Sequence, residues 1–375
     1  MLFLTVNSGS TSVKLAAFAS SPAKSELALL AREQYATDGA EPHAVLREFL
    51  RKHGSSALAA TAHRVVHGGA RFTAPVRIDP AVEAAIGELA ALAPLHNAIA
   101  LRWIAAARAV CTPQVEHVAV FDTAFFAALP ALAAQYALPA RAGAALGVRR
   151  YGFHGLAHEA LWRRWRELNP RLDAGGRVLT LQLGGGCSIA AIEHGRPLDT
   201  SMGFSPLEGL VMATRSGDLD PALVPYLAGR LETSAASVIE MLNEESGLLG
   251  LSGSSGDMRE LLEDSREPAR FAVELYCYRA RKYVGAYLAV LRGCDGVVFG
   301  GGVGEHLPEI RERILGPLSW AGVELDPRAN RAALGREACI SRDGSPIRVW
   351  VIPVDEEHTL AAAARALARP QAARE

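Results

Sequence analysis

The sequence predicts an α/β protein built of two domains of one type, and three observations lead there. With 375 residues the chain is long enough for two domains. Two stretches about half a chain apart read alike. Short β-rich apolar runs alternate with stretches of helical period.

The repeat is Leu4-Thr-Val-Asn-Ser-Gly-Ser-Thr-Ser-Val-Lys-Leu-Ala-Ala-Phe18 against Leu179-Thr-Leu-Gln-Leu-Gly-Gly-Gly-Cys-Ser-Ile-Ala-Ala-Ile192. Each is an apolar strand, a Gly/Ser turn and a second apolar strand, which is a hairpin signature. The two match almost residue for residue if the second turn carries one more residue. Two unrelated hairpins are the plainer alternative to duplication. Val115–Phe121, Gly296–Phe299 and Val349–Pro353 suit buried strands. Helical period covers 81–93, 98–110, 155–168, 221–231, 234–243 and 267–292. The alanine-rich tail 357–370 reads as a terminal helix, with Asp355, Glu356 and Glu357 at its favourable end. The expected domains are 1–148 with the helix 357–375, and 149–356.

Composition excludes several classes. Lys plus Arg number 39 and Asp plus Glu 40, so no basic total speaks for nucleic acid. The five cysteines form no C-x-x-C pair, which argues against a disulfide framework or zinc ribbon and for a reducing, cytoplasmic setting. The run Met1-Leu-Phe-Leu-Thr-Val reads as a core strand and not a signal peptide. The most apolar region, Phe121 to Ala140, is broken by Asp122, Pro130, Gln135 and Pro139, so no membrane span is expected.

Several motifs suit anion chemistry. Asn7-Ser-Gly-Ser-Thr-Ser-Val-Lys14 offers small residues, hydroxyls and a lysine to phosphate, although it is no Walker A loop. A polar hairpin turn is the plain alternative. Leu183-Gly-Gly-Gly-Cys-Ser188 and Phe299-Gly-Gly-Gly-Val-Gly-Glu-His306 add two glycine clusters, neither of them G-x-G-x-x-G. Any one such cluster is usually a tight turn; three, each after a β-like run, suit a nucleotide gripped by several loops. His63-Arg-Val-Val-His67 superficially resembles a helical zinc motif, but Arg64 stands at the general-base position and Val65-Val66 favours a strand. Arg64, beside Gly68-Gly69, is better read as an anion ligand or a surface ion pair. His154 lies between glycines in Tyr151-Gly-Phe-His-Gly, and Asp122 ends an apolar strand. The stretch Asp199 to Pro221 is too rich in Gly, Pro, Ser and Asp for one regular element and reads as a functional loop, with Arg215 its best anion ligand.

These motifs form an ordered series with Pro94-Leu-His-Asn, Phe121-Asp-Thr-Ala-Phe, Ser246-Gly-Leu-Leu-Gly-Leu-Ser-Gly, Gly302-Val-Gly-Glu and Val351-Ile-Pro-Val-Asp-Glu-Glu. The series spans the chain and strongly resembles the acetate kinase family. The resemblance implies duplicated ribonuclease-H-like domains, as in actin, the sugar kinases and the heat-shock ATPases, and a homodimer. It implies reversible phosphoryl transfer from ATP to acetate, giving ADP and acetyl phosphate, with Mg²⁺ and with Mn²⁺ as an alternative metal. Propionate or butyrate kinase is the same-class alternative, and a non-catalytic actin-like paralogue the different-class one.

The resemblance also implies roles. Arg64 and Arg215 hold the carboxylate and the moving phosphoryl group, His154 donates to the transition state, and His96 supports it. Asp122 matches the essential acid; a carboxylate nucleophile needs no base, so orienting an arginine or the metal suits Asp122 equally. Asn7 and Glu356 match the metal site, and Lys14 lies near the phosphates. The nucleotide would meet Gln182, Leu183, Gly184, Gly185 and Gly186, then Asp257, Met258 and Arg259, then Gly302, Val303, Gly304, Glu305 and His306. Val66, Leu95, Phe153 and Pro206 match the pocket for the acyl methyl. The sequence departs from the family pattern at Gln182 and Gly185, at His306, at Phe126, and at Ala98-Ile99. Those departures bear on the phosphoryl donor more than on the acyl acceptor.

Overall fold

A computed structural model describes residues 1–9, 12–20, 26–36, 41–54, 58–91 and 94–368, the side chains of 91, 94 and 95 excepted. Ser10 and Thr11 of the first glycine motif lie outside them, as do the Leu95 side chain and the last residues of the expected terminal helix. The chain divides into two compact units. Unit 1 comprises Met1–Ala127 and the segment from Asp355 onward; unit 2 is Ala128–Val354.

Unit 1 is built on β1 (Leu2–Ser8), β2 (Ser12–Ser20), β3 (Leu27–Ala36), β4 (Leu58–Val65), β5 (Val76–Arg77) and β6 (Glu116–Phe121), in the order β3-β2-β1-β4-β6-β5. β1, β2 and β3 form an antiparallel meander, β4 and β6 run parallel to β1, and β5 returns antiparallel to β6. Leu4, Val6 and Leu15 bury one face with Leu46, Phe49 and Trp103. Val65, Phe72, Ile86, Ile104 and Phe121 form a second core, in which the Phe72 and Phe121 rings stack 4.8 Å apart. Helices Pro42–His53 and Pro80–Glu88 each begin with proline, whose fixed φ suits the first turn. Asp79 caps the second of these, accepting from the Val82 amide at 2.7 Å.

Unit 2 repeats the plan with β7 (Arg177–Leu183), β8 (Cys187–Glu193), β9 (Arg196–Thr200), β10 (Gly296–Gly300), β11 (Ala338–Cys339) and β12 (Arg348–Val351). Its order, β11-β12-β10-β7-β8-β9, is the unit 1 order read from the other edge, with the same parallel and antiparallel pairings. The chain therefore folds as duplicated ribonuclease-H-like α/β units. Helices occur at Gly155–Leu168, Leu223–Arg230, Ala235–Glu244 and Glu267–Leu291, close to the periods read from sequence. Trp165 is fully buried against β10, and a Cβ on Gly296 would lie 2.2 Å from its ring, so only glycine fits there.

Two details differ from the sequence reading. The register Ser8↔Val13 leaves four residues in the first hairpin turn, and Leu183↔Cys187 leaves three in the second, so the extra residue belongs to the first turn. The first cut falls between Ala127 and Ala128 rather than 148 and 149. The intervening segment is tied to unit 2: Arg150 donates to the carbonyls of Thr200 and Ser201 at 3.2 Å, and the Tyr136 hydroxyl accepts from the Phe204 amide at 2.8 Å.

Candidate active site

In unit 1 the functional side chains gather at the carboxyl ends of β1, β4 and β6. Arg64, near the end of β4, donates from Nε to Asp122 Oδ1 at 3.0 Å and from its terminal nitrogen to Oδ2 at 2.5 Å. Asp122 follows β6 directly, and its amide donates to the Val65 carbonyl at 3.0 Å, so the parallel ladder itself sets the pair in register. Asp122 is 1% exposed and the Arg64 side chain 14%. Burial disfavours the Arg64 charge, but Asp122, Glu356 and Glu357 outweigh it and hold the guanidinium pKa above its ordinary value. Burial raises the Asp122 pKa, against the pull of Arg64. The forked geometry is that of a guanidinium on a carboxylate, with both Asp122 oxygens engaged. Arg64 also reaches the Ser8 carbonyl at 3.4 Å, at the end of β1.

Beside it, buried Asn7 donates to Glu356 Oε2 at 2.7 Å and to Glu357 Oε1 at 2.9 Å. Both glutamates open the helix Glu356–Leu367, which Asp355 caps by accepting from the His358 amide at 3.1 Å. Arg32 from β3 pairs with Asp355 at 2.6 Å and lies 3.5 Å from Glu357. Lys14 sits across the hairpin from Asn7 and is exposed. Val66 is buried and His96 half-buried.

Asn97 and Thr123 shape the turn after β4. The Asn97 side chain accepts from the His67 amide and donates to the His67 carbonyl, both at 3.1 Å, and Thr123 Oγ1 accepts from the Gly68 amide at 3.0 Å. A Cβ on Gly68 would stand 2.6 Å from the Phe72 carbonyl, so the turn closes only over glycine. Phe126 is fully buried and packs edge-on against Phe125.

In unit 2, His154 holds the N-terminal position of the helix Gly155–Leu168 with φ +58°. Its Nδ1 lies 2.9 Å from Ser188 Oγ on β8. A Cβ on Gly186 would lie 3.2 Å from His154 Cε1 and Nε2 and 3.7 Å from Arg215, so the glycine loop, His154 and Arg215 converge. Arg215 donates to the Pro206 carbonyl at 3.2 Å, and the Ala213 amide to the Gly185 carbonyl at 3.0 Å, tying the long loop to the glycine loop. That loop is braced from behind by Glu208, which accepts from Arg150 at 2.5 Å and from the Tyr136 hydroxyl. Phe153 is buried, and Pro206 half-buried.

Of the nucleotide residues expected from sequence, all but Lys14 lie in unit 2. Leu183 and Met258 are core side chains, so only their main chain is available to a ligand. Gln182, next to last in β7, lies opposite Ser188, and its Oε1 is buried without a hydrogen-bond partner among the described residues. Gly185 and Gly302 face open space. Asp257 caps the helix Met258–Glu263 and pairs with exposed Arg259 at 2.7 Å, which lowers the Asp257 pKa. Glu305 Oε1 accepts from the amides of Gly301 at 2.8 Å and Val354 at 3.1 Å, holding the turn after β10. His306 Nδ1 lies 3.2 Å from the Gly302 carbonyl.

Sequence reasoning passed over Ser188, Thr180, Asn97, Glu208 and Arg311. Neutral or paired, they carry no signature outside the fold. Asn97, Ser188 and Glu208 stood inside quoted motifs and Thr180 inside the repeat, which was the available signal.

Comparison with known proteins identifies the family. The acetokinase family model matches residues 41–362. An acetate kinase of Chloroherpeton thalassium is 46% identical over 307 residues, 80% of this chain and 74% of that protein. The crystal structure of Porphyromonas gingivalis acetate kinase superposes with a TM-score of 0.87 at 36% identity, covering 98% of this chain and all of that one. A propionate kinase from Francisella tularensis gives 0.88 at 33% identity, covering 98% and 99%. With the family model covering most of its length and a curated relative 46% identical over 80% of it, this chain belongs to the acetokinase family.

Proposed function

We propose that this protein transfers the γ-phosphoryl group of ATP to acetate, reversibly, giving acetyl phosphate and ADP. The observation that carries the reading is the buried Arg64–Asp122 fork in unit 1, with His154, Gly186 and Arg215 convergent in unit 2. A carboxylate attacks phosphorus without losing a proton, so the obstacle is repulsion between two anions. Fixed guanidinium groups and oriented donors lower that barrier without reorganising. Asp122, with both oxygens on Arg64, orients the arginine rather than acting as a base. Val66, Phe153 and Pro206 are taken as the acyl-methyl contacts. The likeness to a propionate kinase structure favours propionate as a second substrate.

Asn7 and Glu356 suit a magnesium ion: an amide carbonyl and a carboxylate are hard oxygen donors, and Glu357 adds charge beside them. When bound, such an ion supplies positive charge to the phosphate oxygens. The reading extends to a cytoplasmic homodimer. All five cysteines are free. The helix Leu223–Arg230 buries none of its residues, and Leu223, Tyr226, Leu231 and Ile239 are exposed apolar groups in its neighbourhood. Among the described residues no helix is long and apolar enough to cross a membrane.

The test is ADP formation from ATP with acetate, propionate or butyrate, and ATP formation from ADP and acetyl phosphate, each with and without a magnesium chelator. Acetate should give the highest kcat/KM and chelation should stop turnover. No acyl phosphate from any of the three acids would overturn the assignment. Sedimentation equilibrium at twice the chain mass supports the dimer.

A further inference from the structure

Behind His154 runs a chain of neutral groups. The Thr180 hydroxyl on β7 lies 2.7 Å from His158 Nδ1. His158 Nε2 lies 2.7 Å from Ser188 Oγ, and Ser188 Oγ lies 2.9 Å from His154 Nδ1. Thr180, His158 and Ser188 are all fully buried. His158 stands one helical turn after His154, with its amide donating to the His154 carbonyl at 3.0 Å.

One serine proton sits between two imidazole nitrogens, so Ser188 donates to one ring and accepts from the other. Burial holds the His158 pKa down to about 3, so that ring carries a single proton. With both rings neutral, two arrangements satisfy the chain. In one, His154 carries its proton on Nδ1 and turns a lone pair outward. In the other, Thr180 donates to His158 Nδ1, His158 Nε2–H donates to Ser188, Ser188 donates to His154 Nδ1, and His154 carries its proton on Nε2. The Nε2 side is the one beside Gly186 and Arg215. A lone pair there would repel phosphoryl oxygens, whereas an N–H would donate to them.

We infer that Ser188 and His158 are positioning residues that fix His154 as the Nε2–H tautomer, aimed at the phosphoryl group. This rests on the reading that His154 contacts that group.

The experiment is ring-¹⁵N NMR of histidine-labelled protein, with His154 assigned by difference from His154→Ala, together with kinetics of Ser188→Ala and Ser188→Thr. The wild type should show His154 protonated on Nε2. Ser188→Ala should mix the tautomers and lower kcat about 10–100-fold, the usual effect of losing a group that fixes a histidine tautomer, with KM for acetate and ATP near wild type. Ser188→Thr should restore the hydroxyl and most of kcat. An Nδ1–H tautomer in the wild type overturns the inference even if Ser188→Ala fails to fold. So does wild-type kcat in Ser188→Ala when His154→Ala is inactive. Full turnover in His154→Ala would instead overturn the reading on which it rests.

Discussion

The two sheets share one strand order, yet their carboxyl ends carry opposite chemistry. Unit 1 places charge there: Arg64 against Asp122, and Asn7 against Glu356 and Glu357. Unit 2 places glycines and neutral groups after β7 and β10, the counterparts of β1 and β4, with the chain Thr180–His158–Ser188–His154 behind them; its arginine, Arg215, arrives on the long loop. Duplication preserved the scaffold, not the side chains. Buried charge is tolerable only in pairs, so unit 1 must keep both partners. Backbone donors need no partner beyond close approach, so unit 2 can work with glycine.

The sharpest test of that contrast removes one arginine from each unit. Arg64→Ala and Arg215→Ala should each lower kcat about 10²–10³-fold, the scale of losing one fixed transition-state donor. Arg64→Ala should also destabilise the fold by about 3–5 kcal/mol, because it strands a buried carboxylate. Arg215→Ala, whose contacts include the Pro206 carbonyl and the Met212 thioether, should lower the melting temperature less than Arg64→Ala does. Equal stability of the two variants would break the comparison.

Unit 2 does contain one buried cation. Arg311 is fully buried and donates to the carbonyls of Gly304, Glu305, Asn330 and Ala333 and to Asn330 Oδ1, at 2.7–3.1 Å. Burial holds its pKa down to about 10. It thus rivets the turn after β10. Arg311→Met should cost about 3 kcal/mol by stranding carbonyls, and should raise KM for ATP while leaving KM for acetate unchanged. A rise in both, or in neither, would separate the rivet from the nucleotide site.

Acid should separate the units as well. In unit 1 burial holds the pKa of His67 and His117 down to about 4 and that of His63 well below 6.5; in unit 2 His158 is held at about 3. Each binds its proton more readily when unfolded. Their contribution is therefore present above pH 6.5 and is lost as pH falls from 6.5 toward 4, at up to about 1.4 kcal/mol per pH unit per histidine. With three such groups, unit 1 should lose hydrogen-exchange protection in β4 and β6 before unit 2 loses it in β7 and β8. Protection unchanged to pH 5 in both sheets would show that the histidines do not govern acid stability.

The smallest effect is expected at Gly185. A Cβ there meets nothing within 4 Å, so Gly185→Asn should shift stability by no more than about 0.5 kcal/mol. The added amide should lower KM for ATP modestly, since it restores a donor to the glycine loop. An unchanged KM would show that the main chain already saturates the phosphate.

Much of the site was legible before folding because its residues are chemically loud. Arg64, Asp122, His154 and Arg215 are charged or polar groups beside glycines, and such placement in a chain that could bury apolar residues instead is informative. The bracing network was not legible. Ser188, Thr180 and Glu208 carry no distinctive signal until β7, β8 and the long loop bring them against His158, Tyr136 and Arg150. The hairpin turns show the same limit: their likeness was plain in sequence, but which turn is longer depended on the ladder register.

By itself, then, the sequence determined the α/β class, the repeated hairpin, most helices and which residues are candidates for the site. These follow from period, apolar runs and residue chemistry, all of which are local along the chain. Only the tertiary structure decided that residues 128–150 brace unit 2, that Asp122 spends both oxygens on Arg64, and that His154 has a neutral chain behind it. Each of these is a contact between strands or loops distant in sequence, and such pairings are set by sheet register and burial, which no local pattern records.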